Sequence, residues 1–330
     1  MLTRGDPFGT AGDPKSSTLI SLSHGELHAQ LAPTVGGSIA SFHSQRGAAR
    51  IDWLRPASDA ALRAGAPLSM GSFPLLPWCN RIRDGIAAKV ARPIAMPPND
   101  PGDSDSPHAL HGLGWQRPWR VLEASPTRAR LGFSFEADSH WPWNFEAEQI
   151  MELSATQLRC TLRLTNADQA PMPAGIGHHP YFPHRTGTRL QTTTRAIWRS
   201  DAELMPTTLD AGVEVRALSD GVALADLALD NNFTGWGRHA RIEWPLQGCA
   251  IDLSAEAPLD FFVLYSPRGM DHFCAEPVSQ CTDAINLSGQ FGTGDLGGTV
   301  LAPGESVSAA WMLTPSWPAS SSAPKVHHAF

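Results

Sequence analysis

The chain has 330 residues, a formal net charge of −7 and a pI near 6.0. Its 25 Lys and Arg residues are dispersed without a run, which excludes a nucleic-acid footprint, and the mild acidity gives an anionic partner no electrostatic help. Hydrophobic residues at 42% and charged residues at 17% exclude a disordered chain, while 29 glycines and 28 prolines leave little room for long helices.

Residues 1–17, "MLTRGDPFGTAGDPKSS", contain no apolar core, so they read as a flexible N-terminal segment rather than a secretory signal. "ASDAALRAGA" (57–66) is the one stretch patterned for two helical turns. In "GSFPLLPWCNRIRDG" (71–85), "NRIRDG" reads as a hairpin turn cornered at Asp84-Gly85, with Arg81 and Arg83 on one face and Ile82 on the other. "MPPNDPGDSDSPHAL" (96–110) is a polar, Pro-rich loop that runs into His108 and His111, a rim over a site. No His-Glu-x-x-His and no carboxylate at ligand spacing accompany these histidines, so no metal is expected.

Strands follow. "ARLGFSFEA" is one candidate, and "FEAEQIMELSATQLRC" reads as two strands around a turn at residues 154–157. "LRCTLRLTN" alternates strictly, with Leu158, Cys160, Leu162 and Leu164 on one side, the period of a half-buried antiparallel strand. In "GIGHHPYFP" (175–183), neighbours on a strand point to opposite faces, so one of His178 and His179 faces a pocket while the other faces out or packs. "LDNNFTGW" (229–236) holds Asp230, and "ARIEWPL", "CAIDLSAE" and "LDFFVLYSP" are strands. "CAEPVSQCTDAINL" (274–287) sets Glu276 in an apolar run, where a carboxylate is either paired or has a task. "SVSAAWML" is a late strand after the "APGE" turn, and residues 316–330 read as a flexible tail. The five cysteines are odd in number, widely spaced and without C-x-x-C, so buried reduced thiols are expected. No window offers 18 apolar residues for a membrane span, and the chain is expected to be cytoplasmic. The pattern is all-β: one large antiparallel β-sandwich over residues 18–315.

Together, "PLLPWCNRIRDG", "LHGLGW", "GHHPYF", "LDNNFTGW" and "CAEPVSQCTDAINL" resemble, in order and broad spacing, segments of the aldose 1-epimerase (galactose mutarotase) family. The resemblance implies the galactose mutarotase-like supersandwich with its pocket on one concave sheet, and a monomer or homodimer acting on a small aldose without a cofactor. It also implies roles. Glu276 looks like the general base and His179 the general acid, with His178 as an outward or supporting partner; Asn80, Arg81, His111 and Asp230 match sugar-binding positions. Asn231 stands where many relatives carry His, and residues 112–114 depart from a double-glycine form, which bears on the choice of sugar.

The function so implied is interconversion of α and β anomers, with Glu276 and His179 on opposite sides of the sugar and their mutual attraction keeping the imidazole charged. Aromatic faces stack on sugar rings, which makes Trp78, Trp115 and Trp236 candidates for a pocket wall. Three alternatives differ in class. A hexose-6-phosphate 1-epimerase would need basic groups such as Arg83 and Arg117. A non-catalytic sugar-binding or sensor protein would need no acid and base. A glycosidase would need a second carboxylate such as Asp230.

Overall fold

Alternation along single strands decides how the chain layers. In Leu158–Asn166 every second residue is buried, and the strand pairs antiparallel with Phe145–Leu153 on one side and Ser306–Ser316 on the other. A computed structural model describes residues 19–100 and 105–317. In it those strands lie in a nine-stranded sheet that runs from Arg120–Ala124 to Val222–Ala223. A second large sheet carries, in spatial order, Pro206–Asp210, Ala196–Ser200, Asp230–Thr234, Phe261–Tyr265, His272–Val278, Gly177–His178 and Pro74–Leu75. Tyr181–Pro183 also pairs with His272–Val278, and Ile20–Asp52 folds into a separate four-stranded antiparallel sheet. The fold is all-β and its sheets are antiparallel, as the alternation in the sequence predicts.

The main core joins Leu131, Leu162, Leu164, Leu253 and Trp311 of the nine-stranded sheet to Phe182, Phe233, Phe262 and Phe273 of the second sheet. A slip of one residue along His272–Val278 would exchange Ala275, which belongs to that core, for Glu276. That would put a carboxyl into a hydrocarbon layer, so the register of this strand is strongly specified.

Three sequence expectations shift. The helix near residue 57 forms as Asp59–Ala64, capped by Ser58 Oγ, but a longer one, Val213–Asp220, was not foreseen. Gly212 opens it, and Leu218 is its buried residue. "NRIRDG" is not a hairpin: Arg81–Ile82 pairs with Ala109–Leu110, Arg83–Gly85 forms a 3-10 turn, and Ile86–Ala87 pairs with Ile94–Ala95. The last strand reaches Ser316, and Arg46 stacks on Trp317, so the tail begins later than expected. Residues 1–17 and 318–330 lie outside the described residues. All five cysteines are free and buried.

Candidate active site

The strand His272–Val278 is buried throughout, and its alternation sorts its residues between two environments. Phe273 and Ala275 face the main core, while Cys274 and Val278 face a smaller cluster with Phe73, Trp115, Tyr181, Phe261 and Val263. Glu276 is on the Cys274 side, paired across the ladder with Val263. Beside it runs Gly177–His178. A Cβ on Gly177 would meet Val278 Cγ1 at 2.7 Å and Pro277 O at 2.9 Å, so only glycine lets the two strands approach this closely.

That approach resolves the histidine pair. His178 points into the core, 1% exposed, with Ser72 Oγ 3.2 Å from Nδ1, Cys160 Sγ 3.4 Å from Nε2 and the Trp311 ring tilted against it at 5.0 Å. It is thus a packing residue and not an outward one, and burial pushes its pKa down to about 3. His179 emerges on the other face, where Nε2 lies 3.3 Å from Glu276 Oε1.

The imidazole of His179 is held between Phe73 at 4.8 Å and Tyr181 at 4.6 Å, both nearly parallel to it, and His111 meets it edge-on at 4.9 Å. Arg55 stacks on Tyr181 at 3.9 Å, and its guanidinium donates to the carbonyls of Leu68 and Met70. His179 and Glu276 are therefore neighbours on one floor and do not face each other across a cavity, as the sequence had led us to expect. The reason is topological: their strands are adjacent in one sheet.

Burial also reverses the expected charge state. Desolvation pushes the Glu276 carboxyl well up, an effect the nearby Asp230 reinforces and Arg81 opposes. Desolvation pushes His179 down to about 3. Both groups are driven toward neutrality, so the pair holds one proton in common, favouring protonated Glu276 and neutral His179.

The other expected site residues surround this floor. Arg81 reaches within 3.9 Å of Asp230, whose carboxyl is raised by burial and lowered by Arg81. Asn80 Oδ1 accepts from the Arg81 backbone N–H at 2.8 Å and from its guanidinium at 3.2 Å. Asn80 and His111 both have left-handed backbones, with φ of 58° and 61°, and the His111 N–H donates to Asn80 O at 2.9 Å. Asp283, at φ 58°, donates its N–H to Arg81 O. Such backbones cost free energy in non-glycine residues and cluster where a side chain must be aimed. Next to His111, Gly112 at φ +77° lies so close to Leu76 that a Cβ would meet its carbonyl oxygen at 1.9 Å. Three buried polar atoms among these residues have no protein partner: His111 Nδ1, His179 Nδ1 and Glu276 Oε2.

A cavity of about 190 Å³ adjoins Arg81 and is rimmed by Asp105, Ser106, Pro107 and Glu203, so the Pro-rich loop does border the site. His108 does not join His111; its Nδ1 accepts from the Asp84 N–H at 3.0 Å. Of the three tryptophans, Trp115 backs Phe73 at 5.5 Å, Trp78 lines a separate cavity of about 630 Å³, and Trp236 packs on Phe262. None of the three is an exposed wall beside His179. Sequence reasoning missed Phe73, Arg55 and the stacking role of Tyr181. Tyr181 could have been found, because it shares a face with His179 at i+2; Arg55 and Phe73 arrive from distant segments and leave no local sign.

His179, Cys274 and Glu276 each offer a ligand atom, and these atoms all lie within 4.8 Å of one another. A family model described as "Aldose 1-epimerase" matches residues 18–313. The chain is 29% identical over 315 residues to the uncharacterized protein YphB of Escherichia coli (strain K12), covering 91% of this chain and 99% of that protein. A crystal structure of a putative aldose 1-epimerase from Escherichia coli K12 superposes with a TM-score of 0.79 at 28% identity, over 91% of this chain and 99% of that one. A galactose mutarotase-like protein from Clostridium acetobutylicum gives a TM-score of 0.81 at 20% identity, over 93% and 98% of the two chains, a likeness of fold.

Proposed function

The chain belongs to the aldose 1-epimerase family, and we propose that it is a cofactor-independent mutarotase that interconverts the α and β anomers of a free aldose. The observation that carries this reading is the 3.3 Å contact between His179 Nε2 and Glu276 Oε1 on one buried floor. The ring oxygen and the anomeric hydroxyl of a pyranose are bonded to the same carbon, C1. An acid and a base that serve those two oxygens must therefore be neighbours, and side-by-side placement suits the reaction better than opposition does.

Once the shared proton has passed across the 3.3 Å contact from Glu276 to His179, Glu276 as carboxylate removes the proton from the C1 hydroxyl while His179 as imidazolium donates one to the ring oxygen. The C1–O5 bond breaks and an open-chain aldehyde forms. Rotation about C1–C2 presents the other face of the carbonyl, and closure returns both protons. After ring opening the pair is protonated Glu276 and neutral His179, the state burial favours. The desolvated floor thus lowers the cost of the open-chain stage, and one proton suffices for the whole cycle. Arg81, Asn80, His111 and Asp230 hold the ring hydroxyls so that both transfers occur at hydrogen-bond distance. The unpartnered atoms of His111 and Glu276 are suited to receive sugar hydroxyls.

Phosphorylated sugars fit less well. Arg83 is already bound to Asp201 at 3.0 Å and Glu203 at 3.6 Å, and Arg117 lies over the Phe135 ring. Polarimetry on freshly dissolved α-D-glucose, α-D-galactose and glucose 6-phosphate tests the reading. Acceleration beyond buffer with a free sugar, and less with the phosphate, is expected. No acceleration with any aldose, accompanied by saturable sugar binding, would leave a sugar sensor instead.

A further inference from the structure

Three ligand-type side chains meet on the floor of the site, and the epimerase chemistry uses two of them. Cys274 precedes Glu276 by two residues on one strand, so both side chains lie on the same face. Cys274 Sγ, a His179 nitrogen and a Glu276 oxygen all lie within 4.8 Å of one another, and the three residues are 0%, 7% and 2% exposed. Building on the mutarotase reading, we propose that His179, Cys274 and Glu276 form a binding site for one zinc-class divalent cation, and that its binding switches the acid–base pair off.

The His179–Glu276 pair already has the spacing such an ion needs, and Cys274 Sγ, which lies within 4.8 Å of both, would close in by up to about 1 Å to bond at about 2.3 Å. Two ligands bonded to zinc at about 2.0–2.1 Å in a tetrahedron lie about 3.3–3.4 Å apart, and His179 Nε2 and Glu276 Oε1 are 3.3 Å apart. One nitrogen, one sulfur and one oxygen form a donor set that selects zinc over magnesium or calcium, whose ligands are oxygens. Three protein ligands leave a fourth position open toward the side where the sugar sits. Glu276 Oε2, buried and without a protein partner, is available to the ion as a second carboxylate oxygen.

The step balances in protons and charge. As the sulfur–metal bond forms, the Cys274 thiol proton leaves for solvent. Any proton held by His179 or Glu276 must likewise leave when those two coordinate. The ion then meets one thiolate, one carboxylate and one neutral imidazole, so its two positive charges are offset within the buried floor, which spares it the cost of an uncompensated ion. The atoms then bonded to the metal are those that would have moved protons on the sugar.

The full-length chain can be titrated with Zn²⁺ by calorimetry, and with Co²⁺ as a spectroscopic probe, while mutarotation is followed separately. We expect one Zn²⁺ per chain, mutarotation lost in proportion to occupancy and restored by EDTA, and a thiolate-to-Co²⁺ charge-transfer band. Cys274→Ser keeps metal-free mutarotation, lacks the band, and binds Zn²⁺ more weakly by at least the about 10–100-fold that even outer-shell partners are worth. No thiolate band in the wild type, unchanged affinity in Cys274→Ser, or Zn²⁺-loaded protein that mutarotates at the metal-free rate would each overturn the proposal. If Cys274→Ser fails to fold, the wild-type Co²⁺ band decides. A cysteine-dependent band in a protein that never accelerates mutarotation would leave the metal site standing and remove the enzymatic reading.

Discussion

Replacing Arg81 with Gln tests how the site controls its own protons. Arg81 opposes the upward push on both Asp230 and Glu276. Its guanidinium lies 3.9 Å from Asp230, and the two side chains are 15% and 22% exposed. Unit charges about 4 Å apart at an effective dielectric near 20 attract by about 4 kcal/mol. Partial exposure lets water screen roughly half of that, which leaves about 2 kcal/mol, or about 30-fold in an equilibrium. Losing a contact that positions the sugar adds to this, so we expect kcat/KM at neutral pH to fall on the order of 10²-fold. The direction of the pH effect is fixed as well. Without Arg81 the Glu276 carboxyl moves further up, the base is protonated over a wider range, and the acidic limb of the pH–rate profile moves to higher pH. Polarimetry of the variant across pH, beside Arg83→Gln as control, reads both quantities. Arg83 is occupied by Asp201 and Glu203, and its loss should leave the limb in place. An Arg81→Gln limb at the wild-type position would refute the electrostatic argument.

Gly177→Ala should push its strand from Val278 and widen the His179–Glu276 contact; kcat/KM should fall about 10²-fold while circular dichroism still shows a β fold. Gly112→Ala, with its Cβ 1.9 Å from Leu76 O and a positive φ, should lower the melting temperature sharply, as calorimetry would show. His178 is neutral in the fold, with its pKa pushed to about 3. The unfolded chain binds a proton there below about pH 6.5, so stability falls as pH drops through that value, by about 2 kcal/mol at pH 5. His178→Gln should flatten the acid side of a stability–pH curve from urea melts by about that amount, whatever its cost at neutral pH.

The strands were legible because their alternation was strict, as in Leu158–Asn166 and in the turn at residues 154–157. The opposition of His178 and His179 also followed from period 2 alone. Two things did not follow. The distance between His179 and Glu276 depends on which strands are neighbours, and sequence separation carries no trace of that; Gly177 is the local residue that permits it. Charge state depends on burial contributed by Phe73 and Tyr181, so attraction between the pair was overestimated and desolvation overlooked. Helix Val213–Asp220 is short, and its apolar stripe amounts to Val215 and Leu218, three residues apart against the main core, too little to stand out in the sequence.

The most direct measurement is the mutarotation rate of Glu276→Gln on fresh α-D-galactose and α-D-glucose, in a protein whose melting temperature is checked alongside. Gln keeps the shape of the side chain and removes its ability to take a proton. We expect a folded protein with the rate reduced on the order of 10²–10⁴-fold. A folded Glu276→Gln protein that catalyses at the wild-type rate would contradict the assignment of the base, and with it the chemistry derived from the His179–Glu276 contact.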